Sequence, residues 1–418
     1  MPGPWIARPA PVTKTPVRRM ARSHQGPTLA DTTFDERARG SNPGMGARRA
    51  PTRLLACCLA LLAGCATDQR AGPAPGLSPT DARALVARLL PSGTPDREGW
   101  ATDIHAAFAS MDIAPTAQNI CAVVAITEQE SSFRADPPVA GLPAIARREI
   151  DKQAERAGVP LLLVHTALEL SSPDGRSYGK RIDAAKTEQE LSVIFEDFIG
   201  MVPLGKTFLS GRNPVRTGGP MQVSIAYAQA HAAARPYPYP VAGTIRHEVF
   251  TRRGGMYFGI AHLLDYAASY DQPLYRYADF NAGHYASRNA AFQNAVSLAS
   301  GIPLDLDGDL VRLDHDADAP GSTELATRVL AKRLDLGAAA IRRDLERGAT
   351  AEFERSTLYE RVFALADRLE GRPLPRAMVP RIVLKSPKIT RKLTTEWFAA
   401  RVDERARRCL ARHTPARG

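Results

Sequence analysis

Residues 116–133 read TAQNICAVVAITEQESSF, and this stretch decides which fold the chain is expected to adopt. Thr116 is suited to cap the start of a helix, because its hydroxyl can accept a hydrogen bond from a first-turn N–H that has no helical partner. Apolar residues then recur at the spacing of one helix face, which predicts a core helix over 117–130. The last turn of this helix delivers Glu130, and a Ser-Ser-Phe turn follows directly.

Most of the remaining chain has the same helical periodicity, so the predicted fold class is mostly α. Further helices are predicted at 81–90, 97–111, 141–170 with a break at Pro160, 183–200, 223–234, 250–269, 282–299, 323–334, 338–347, 352–369 and 388–412. The segment RPYPYP at 235–240 must be extended, because proline disfavours helix in the residue before it. Residues 304–313 alternate about Asp307-Gly308, which predicts a small β-hairpin.

The N-terminal residues predict a secreted lipoprotein. An apolar run at 54–64 follows three arginines and is too short to span a bilayer, which takes ~20 residues. The segment Leu-Ala-Gly-Cys at 62–65 resembles the bacterial lipobox, which implies cleavage before Cys65 and lipidation of its thiol. A short buried helix is the alternative interpretation. Residues 1–44 are polar, and they are expected either to be disordered or to lie upstream of the true start at Met45.

The formal charge of +11 does not indicate a nucleic-acid partner. Residues 1–64 hold ten Lys and Arg against three acidic residues, so the chain from Cys65 onward has a net charge of only +4. The excess lies in the part that is predicted to be removed. Ala66 follows the lipidated cysteine, and by resemblance to bacterial lipoproteins this implies sorting to the periplasmic face of the outer membrane.

Two cysteines remain in the predicted mature chain besides Cys65. Cys121 and Cys409 are a candidate disulfide, because the periplasm is oxidising. Two buried free thiols are the alternative.

Two later segments offer groups suited to a sugar. Residues 218–222 read GGPMQ, in which Gly219 permits a close backbone approach, Met221 provides an adaptable apolar floor and Gln222 offers an amide to an N-acetyl group. Residues 279–285 read DFNAGHY and add an aromatic side chain, an amide and a small-residue turn. Each segment alone is equally consistent with an ordinary loop or helix start.

In this order, ESSF at 130–133, GGPMQ and DFNAG resemble the Glu-Ser-x-Phe, Gly-Leu-Met-Gln and Ala-Tyr-Asn-Ala-Gly signatures of lysozyme-like lytic transglycosylases. The resemblance covers about residues 115 to 300 and implies a lysozyme-like helical core with Glu130 as the catalytic acid. It implies substrate contacts from Ser131, Phe133, Gly219, Met221, Gln222, Phe280, Asn281 and Tyr285. Over most of its mature length the chain also resembles a family of uncharacterised bacterial lipoproteins that carry a domain of unknown function.

Cleavage of a β-1,4 glycosidic bond requires a carboxylic acid that stays protonated near neutral pH, and an apolar pocket at a helix end provides one. Glu130 fits this role, with Phe133 as the apolar wall. The alternative is that Glu128 and Glu130 are solvated charges at a helix C-terminus. The resemblance implies a mechanism with one carboxylate, in which the acetamido or 6-hydroxyl group of the substrate completes the attack and a 1,6-anhydro-muropeptide is released.

The chain departs from the transglycosylase pattern in three ways. Pro220 replaces the family leucine, and Phe280 replaces the tyrosine that often contacts the catalytic glutamate. The candidate substitutes for that phenol are Tyr227, Tyr277 and Tyr285. The interval from Glu130 to Met221 is 91 residues, so residues 134–216 are predicted to be an insertion that forms a lid or a wall.

The predicted organisation is a leader at 1–44, a signal peptide at 45–64, a lipidated tether at 65–79, a lysozyme-like domain at 80–303 and a hairpin plus helical region at 304–418. No cofactor and no metal are predicted, because the acidic run at 305–309 has Leu310 where a calcium loop needs Gly and the histidines lack zinc spacing. The basic helix at the C-terminus is expected to be a solvated face, with anionic lipid or polymer binding as the alternative.

Two functions therefore follow from the sequence. The first is a peptidoglycan lytic transglycosylase that is anchored in the membrane by a lipid on Cys65 and that cleaves glycan strands. The second is a non-catalytic lipoprotein that binds peptidoglycan or scaffolds the envelope. The sequence identifies no envelope protein partner for either.

Overall fold

The computed structural model describes residues 77–201, 213–312, 319–385 and 391–413. These residues are mostly helical, with only two small antiparallel sheets of two strands, so the predicted mostly α fold is confirmed. The predicted signal peptide and Cys65 lie outside the described residues. Within the described part of the chain, no helix has both the length and the apolar character needed to cross a membrane.

The first seven helices are α1 (Pro79–Leu89), α2 (Arg97–Ser110), α3 (Ala117–Glu130), α4 (Leu142–Arg156), α5 (Leu161–Leu168), α6 (Tyr178–Ala184) and α7 (Glu188–Met201). Next come β1 (Thr217–Gly218), β2 (Val223–Ser224), α8 (Ile225–Ala234), α9 (Ile245–Val249), α10 (Arg252–Leu264), α11 (Pro273–Ala282) and α12 (Ala286–Ser300). The rest are α13 (Ser322–Val329), α14 (Ala331–Leu334), α15 (Ala338–Leu345), the 3-10 helices Glu346–Ala349 and Ala351–Arg355, α16 (Thr357–Glu370), β3 (Val383–Leu384), β4 (Leu393–Thr394) and α17 (Thr395–His413).

Helix α3 runs through the larger hydrophobic core. It begins after Thr116, whose Oγ1 accepts a hydrogen bond from the Asn119 N–H at 3.1 Å, as the capping pattern predicts. Ten of its fourteen residues are buried. Helices α1 and α17 pack along it, and α17 is joined to it by a disulfide between Cys121 and Cys409. The C-terminal helix is therefore part of the same core as the helix that ends at Glu130.

A second core forms around Phe292 of α12, which packs against Phe353 and Tyr359. Helices α13 to α16 enclose it. The predicted insertion at 134–216 contains α4 to α7, with breaks where Pro160 and residues 185–187 interrupt the helical periodicity.

The hairpin predicted at Leu304–Leu313 is wrong in position, because residues 304–312 contain no strand. The Asp307-Gly308 turn is held by α12 instead: the Gly308 N–H donates to Gln293 Oε1 at 2.8 Å, and Gln293 Nε2 donates to Asp307 Oδ1 at 2.9 Å. These bonds replace the cross-strand pairing that an Asp-Gly turn usually accompanies. The two hairpins that form are β1–β2, which contains the GGPMQ turn, and β3–β4.

Candidate functional site

Glu130 is the last residue of α3 and is 3% exposed. The helix ends there because Ser131 closes it: its N–H donates to the Thr127 carbonyl at 3.0 Å, and its Oγ donates to the same carbonyl at 3.1 Å. The same Oγ accepts from the Arg134 N–H at 3.3 Å. The hydroxyl of Ser131 therefore holds the turn that follows Glu130, whatever further contact it makes with a ligand.

Phe133 forms an apolar contact beside this turn. Its ring meets Trp100 of α2 edge-on, with 5.3 Å between centroids, and the Arg252 guanidinium lies 5.6 Å from the Trp100 ring centre. Ser132 and Phe133 both adopt positive φ angles, 52° and 61°. This conformation is unusual for residues with side chains and is strained for a bulky one, so the surrounding contacts must hold it.

Glu128 lies in a different environment from Glu130. Its carboxylate is 31% exposed and lies 3.7 Å from Arg405 Nε and 4.0 Å from an Arg408 nitrogen, both on α17. Glu128 is therefore a partly solvated group in an ion-pair network with α17.

The GGPMQ segment forms the turn between β1 and β2. Gly219 has a φ of 75°, and a Cβ there would overlap the Val249 carbonyl, so only glycine fits. Gln222 is 3% exposed and also has a positive φ, 50°. Its side chain bonds within the hairpin, because Nε2 donates to the Gly219 carbonyl at 3.3 Å and Oε1 accepts from Thr217 Oγ1 at 3.4 Å.

The side chains of the third segment are also buried. Phe280 is 6% exposed and its ring centre lies 5.1 Å from that of His262. Asn281 Oδ1 accepts a hydrogen bond from Thr395 Oγ1 at 3.0 Å, which connects the segment to the start of α17. The Tyr285 ring lies under the Arg288 guanidinium at 4.3 Å, and its centre is 5.2 Å from that of Tyr266.

Asp279, the first residue of this segment, has a structural role that was not predicted from the sequence. Its Oδ2 accepts from the Tyr266 hydroxyl at 3.1 Å, the Tyr270 hydroxyl at 2.5 Å and the Tyr285 N–H at 3.0 Å. Its Oδ1 accepts from the Ser287 N–H at 2.7 Å. Complete burial raises the pKa of Asp279 to about 6 despite these donors. Two donors are backbone N–H groups at the start of α12, and the other two are hydroxyl groups from the loop before α11. The carboxyl group therefore connects this loop to the turn before α12.

Helix α10 contacts the second and third segments and the last turns of α3, which lead into the first segment. Met256, Gly259 and His262 are spaced three residues apart, so they lie along one stripe of the helix. Thr127, one turn before Glu130, has its Oγ1 3.8 Å from Met256 Sδ. Met221 of the GGPMQ turn packs on Gly259. The third contact is that of the Phe280 ring with His262. Thr127, Met221 and Phe280 therefore all contact the same stripe of α10.

A cluster of histidines and tyrosines continues from this stripe. His284 stacks on Tyr266 and on His262, with 4.1 and 4.5 Å between ring centres, and the His284 Nε2 bonds the His262 carbonyl at 2.7 Å. Burial lowers the pKa of His284 to about 4 and lowers that of His262 well below its usual value. Two of the three candidate tyrosines contact this cluster: the Tyr227 ring centre lies 4.6 Å from that of His262, and the Tyr285 ring centre lies 5.2 Å from that of Tyr266. Both histidines are therefore neutral packing groups at neutral pH.

In the part of the chain that the structure describes, no group of three or more His, Cys, Asp or Glu side chains is arranged to hold a metal ion. The predicted lipidation site, Cys65, lies outside the described residues. Stripe residues Met256 and Gly259 carry no signature that a single sequence could reveal, because their role depends on what packs against them.

Comparisons with known proteins identify relatives without an assigned activity. A family model described as "Protein of unknown function (DUF1615)" matches residues 93–412, a range that includes all three segments. The chain is similar to the "Uncharacterized protein YaiW" of Escherichia coli (strain K12), with 53% identity over 350 residues that cover 84% of this chain and 95% of that protein. No solved structure matches the chain.

Proposed function

The chain belongs to the DUF1615 family, whose description assigns no function, and we propose that it is a lipid-anchored peptidoglycan lytic transglycosylase. Its substrate would be the β-1,4 bond between N-acetylmuramic acid and N-acetylglucosamine in glycan strands. Its location would be the periplasmic face of the outer membrane, through a lipid on Cys65.

The observation that carries the proposal is that Thr127, one turn before Glu130, and Met221 and Phe280 of the other two segments all contact α10. They are separated by about ninety and sixty residues of chain, yet Thr127, Met221 and Phe280 contact successive positions of one helix stripe. A chance match of short motifs would not require this proximity. This proximity of residues that are far apart in the chain supports the proposal that they serve one site.

Backbone strain supports the same site. Among the described residues, seven that are not glycine have positive φ angles. Four of them belong to the three segments, namely Ser132, Phe133, Gln222 and Tyr285. Strained backbone of this kind costs about 1–3 kcal/mol per residue and concentrates at ligand and catalytic sites.

The reaction needs one carboxyl group. Glu130 donates its proton to the glycosidic oxygen while the bond from that oxygen to the anomeric carbon breaks. The 6-hydroxyl of the muramic acid then forms a bond to the anomeric carbon and returns its proton to the Glu130 carboxylate, so the acid is regenerated and no water is consumed. Phe133 packs on Trp100 beside the turn that follows Glu130, and in the proposed mechanism this contact provides the apolar surroundings that favour a protonated carboxyl group.

A second function is a non-catalytic protein that binds glycan strands, and burial of the site favours it. Glu130 is almost inaccessible, and the amides of Gln222 and Asn281 already bond to protein groups. A transglycosylase with this arrangement must open around the GGPMQ turn to admit a sugar, whereas a binding protein could use another surface.

Incubation of the purified protein with sacculi free of other enzymes separates the two functions. A transglycosylase releases 1,6-anhydro-muropeptides, which mass spectrometry distinguishes from the reducing muropeptides of a hydrolase. A binding protein sediments with the sacculi and releases neither product.

A further inference from the structure

The insertion contains a cavity of about 340 Å³ between α4, α5, α6 and α7. None of the three segments contributes to its lining. The wall is almost entirely apolar and includes Ile150, Leu163, Ala167, Phe195, Phe198 and Ile199. The volume lies at the lower end of the range for ligand pockets, about 300–1,000 Å³.

The polar groups at the cavity interact with one another. Gln153 Nε2 donates to Glu149 Oε1 at 2.8 Å, and the other oxygen of Glu149 lies 4.0 Å from Lys152 Nζ. The wall therefore offers an occupant mainly hydrocarbon contact. This composition fits an unbranched acyl chain better than a sugar, a peptide or a nucleotide, each of which has polar groups along its length.

Helix α5 extends the apolar surface beyond the cavity. It reads LLLVHTAL, yet Leu168 is its only buried residue. Leu162 is 77% exposed and Leu163 is 60% exposed, and the nearby Val159 is 40% exposed. A soluble ligand inside the cavity would leave Leu162 in water, whereas a lipid bilayer would cover it.

Cations lie at the edge of the cavity. Lys152 and Arg156 are exposed and one turn apart on α4, next to the Glu149 edge of the lining. An anionic head group at this edge would be attracted to both side chains while its chain entered the cavity.

We propose that the insertion binds an anionic membrane phospholipid, with one acyl chain in the cavity and the phosphate beside Lys152 and Arg156. Leu162 of α5, which does not line the cavity, then lies among the acyl chains of neighbouring lipids. This site does not involve Glu130 and goes beyond the proposed transglycosylase function. It gives the insertion a role of its own, which is to hold that face of the protein against a lipid surface.

Flotation with vesicles tests the proposal. The chain is prepared with Cys65→Ser, so that a lipid at that position cannot anchor it, and is mixed with vesicles of phosphatidylcholine alone or with phosphatidylglycerol added. We expect binding to the vesicles that contain phosphatidylglycerol and weaker binding at high salt. Leu163→Gln and Ala167→Phe should each weaken binding about tenfold or more. The first makes the cavity wall polar, and the second fills the cavity, so in both the acyl chain buries fewer CH₂ groups.

The matched control is Val329→Gln on α13, because Val329 is 63% exposed but does not line the cavity. It should bind vesicles within about twofold of the parent chain. Loss of one buried apolar side chain would change the affinity about tenfold, and this variant loses none at the cavity. Circular dichroism and urea unfolding verify that each variant is folded. Muropeptide release should be unchanged in Leu163→Gln, which keeps this test separate from that of the proposed function.

Three outcomes would overturn the proposal. Equal binding to both vesicle types would show that the anionic head group is not recognised. Unchanged binding of folded Ala167→Phe would show that no acyl chain occupies the cavity. Absence of vesicle binding, together with a dimer in light scattering that Leu163→Gln dissociates, would assign this surface to a second copy of the chain.

Discussion

Met221 lies directly on Gly259: a Cβ placed on that glycine would come 2.5 Å from Met221 Sδ and 2.6 Å from its Cβ. The glycine lets the GGPMQ turn approach α10 one turn away from Met256, which contacts Thr127 of α3. The distance between the Glu130 helix and the turn is therefore determined by a glycine on a third element.

Gly259→Ala is expected to destabilise the protein, because the new methyl group would overlap a buried side chain. Overpacking of this kind costs about 1–3 kcal/mol in the free energy of unfolding, which urea titration measures. Gly200→Ala is the matched control, since it lies in α7 with no atom within 4 Å of the new Cβ. That control should be as stable as the wild type or more stable by up to ~1 kcal/mol. A wild-type urea midpoint for Gly259→Ala would contradict the packing described.

Removal of the Cys121–Cys409 disulfide is expected to weaken the contact between α3 and α17. The bond closes a loop with a sequence separation of 288 residues. Its loss should lower the free energy of unfolding by about 2–4 kcal/mol, measured for the double variant with both cysteines changed to alanine. Alkylation of unfolded, unreduced protein should modify neither cysteine. Two alkylated thiols at these positions would show that the bridge is absent from the isolated protein.

The histidine cluster predicts a loss of stability in acid. His284 is neutral in the folded protein, and burial lowers its pKa to about 4, whereas in the unfolded chain it takes up a proton below about 6.5. Its contribution is therefore complete above pH 6.5 and declines as the pH falls toward 4. We expect the wild-type stability to fall by about 3 kcal/mol relative to His284→Gln over this range.

The comparison with the variant removes the effect of Asp279, which has the opposite sign. Its pKa is raised to about 6, so its contribution is complete below about 3.8 and is lost as the pH rises through 6. Both proteins share it. Urea unfolding at several pH values gives the difference, and a difference that does not change between pH 7 and 4 would contradict the neutral, buried state of His284.

Lipidation at Cys65 stays a prediction from the lipobox resemblance. Cells grown with labelled palmitate should yield labelled wild-type protein and unlabelled Cys65→Ser protein. The same variant should leave the membrane fraction or bind it more weakly, because one acyl chain contributes about 0.8 kcal/mol for each buried CH₂. Labelled Cys65→Ser protein, or mature protein that retains residue 1, would exclude this anchor.

Local patterns of the sequence predicted α3 well, since its cap at Thr116 and its end at Glu130 depend on neighbouring residues. The hairpin was predicted at the wrong place for a related reason. Asp307-Gly308 is a strong local turn signal, but bonds to Gln293 of α12 hold it without strands. One of the two hairpins in the described residues surrounds GGPMQ. Pro220 makes this segment unlike a usual hairpin turn, and contacts with α10 position it.

The candidate site shows the same limit. The three segments could be recognised by resemblance, but their meeting on Met256, Gly259 and His262 depends on contacts between residues far apart in the chain. The role of Asp279 also required the structure, because its donors Tyr266 and Tyr270 come from the preceding loop. The burial of Glu130, Gln222 and Asn281 could not be predicted from composition.

Muropeptide release by Glu130→Gln and Glu128→Gln proteins tests most directly whether Glu130 is the acid that cleaves the glycan. Glu130→Gln keeps the shape of the side chain and removes the proton that the leaving oxygen needs, so release of 1,6-anhydro-muropeptides from purified sacculi should fall at least about 100-fold. Glu128→Gln should retain most activity, because Glu128 pairs with Arg405 and Arg408 on α17. Melting temperatures show whether both variants stay folded. Wild-type release by folded Glu130→Gln, or no release by the wild-type protein itself, would contradict the account.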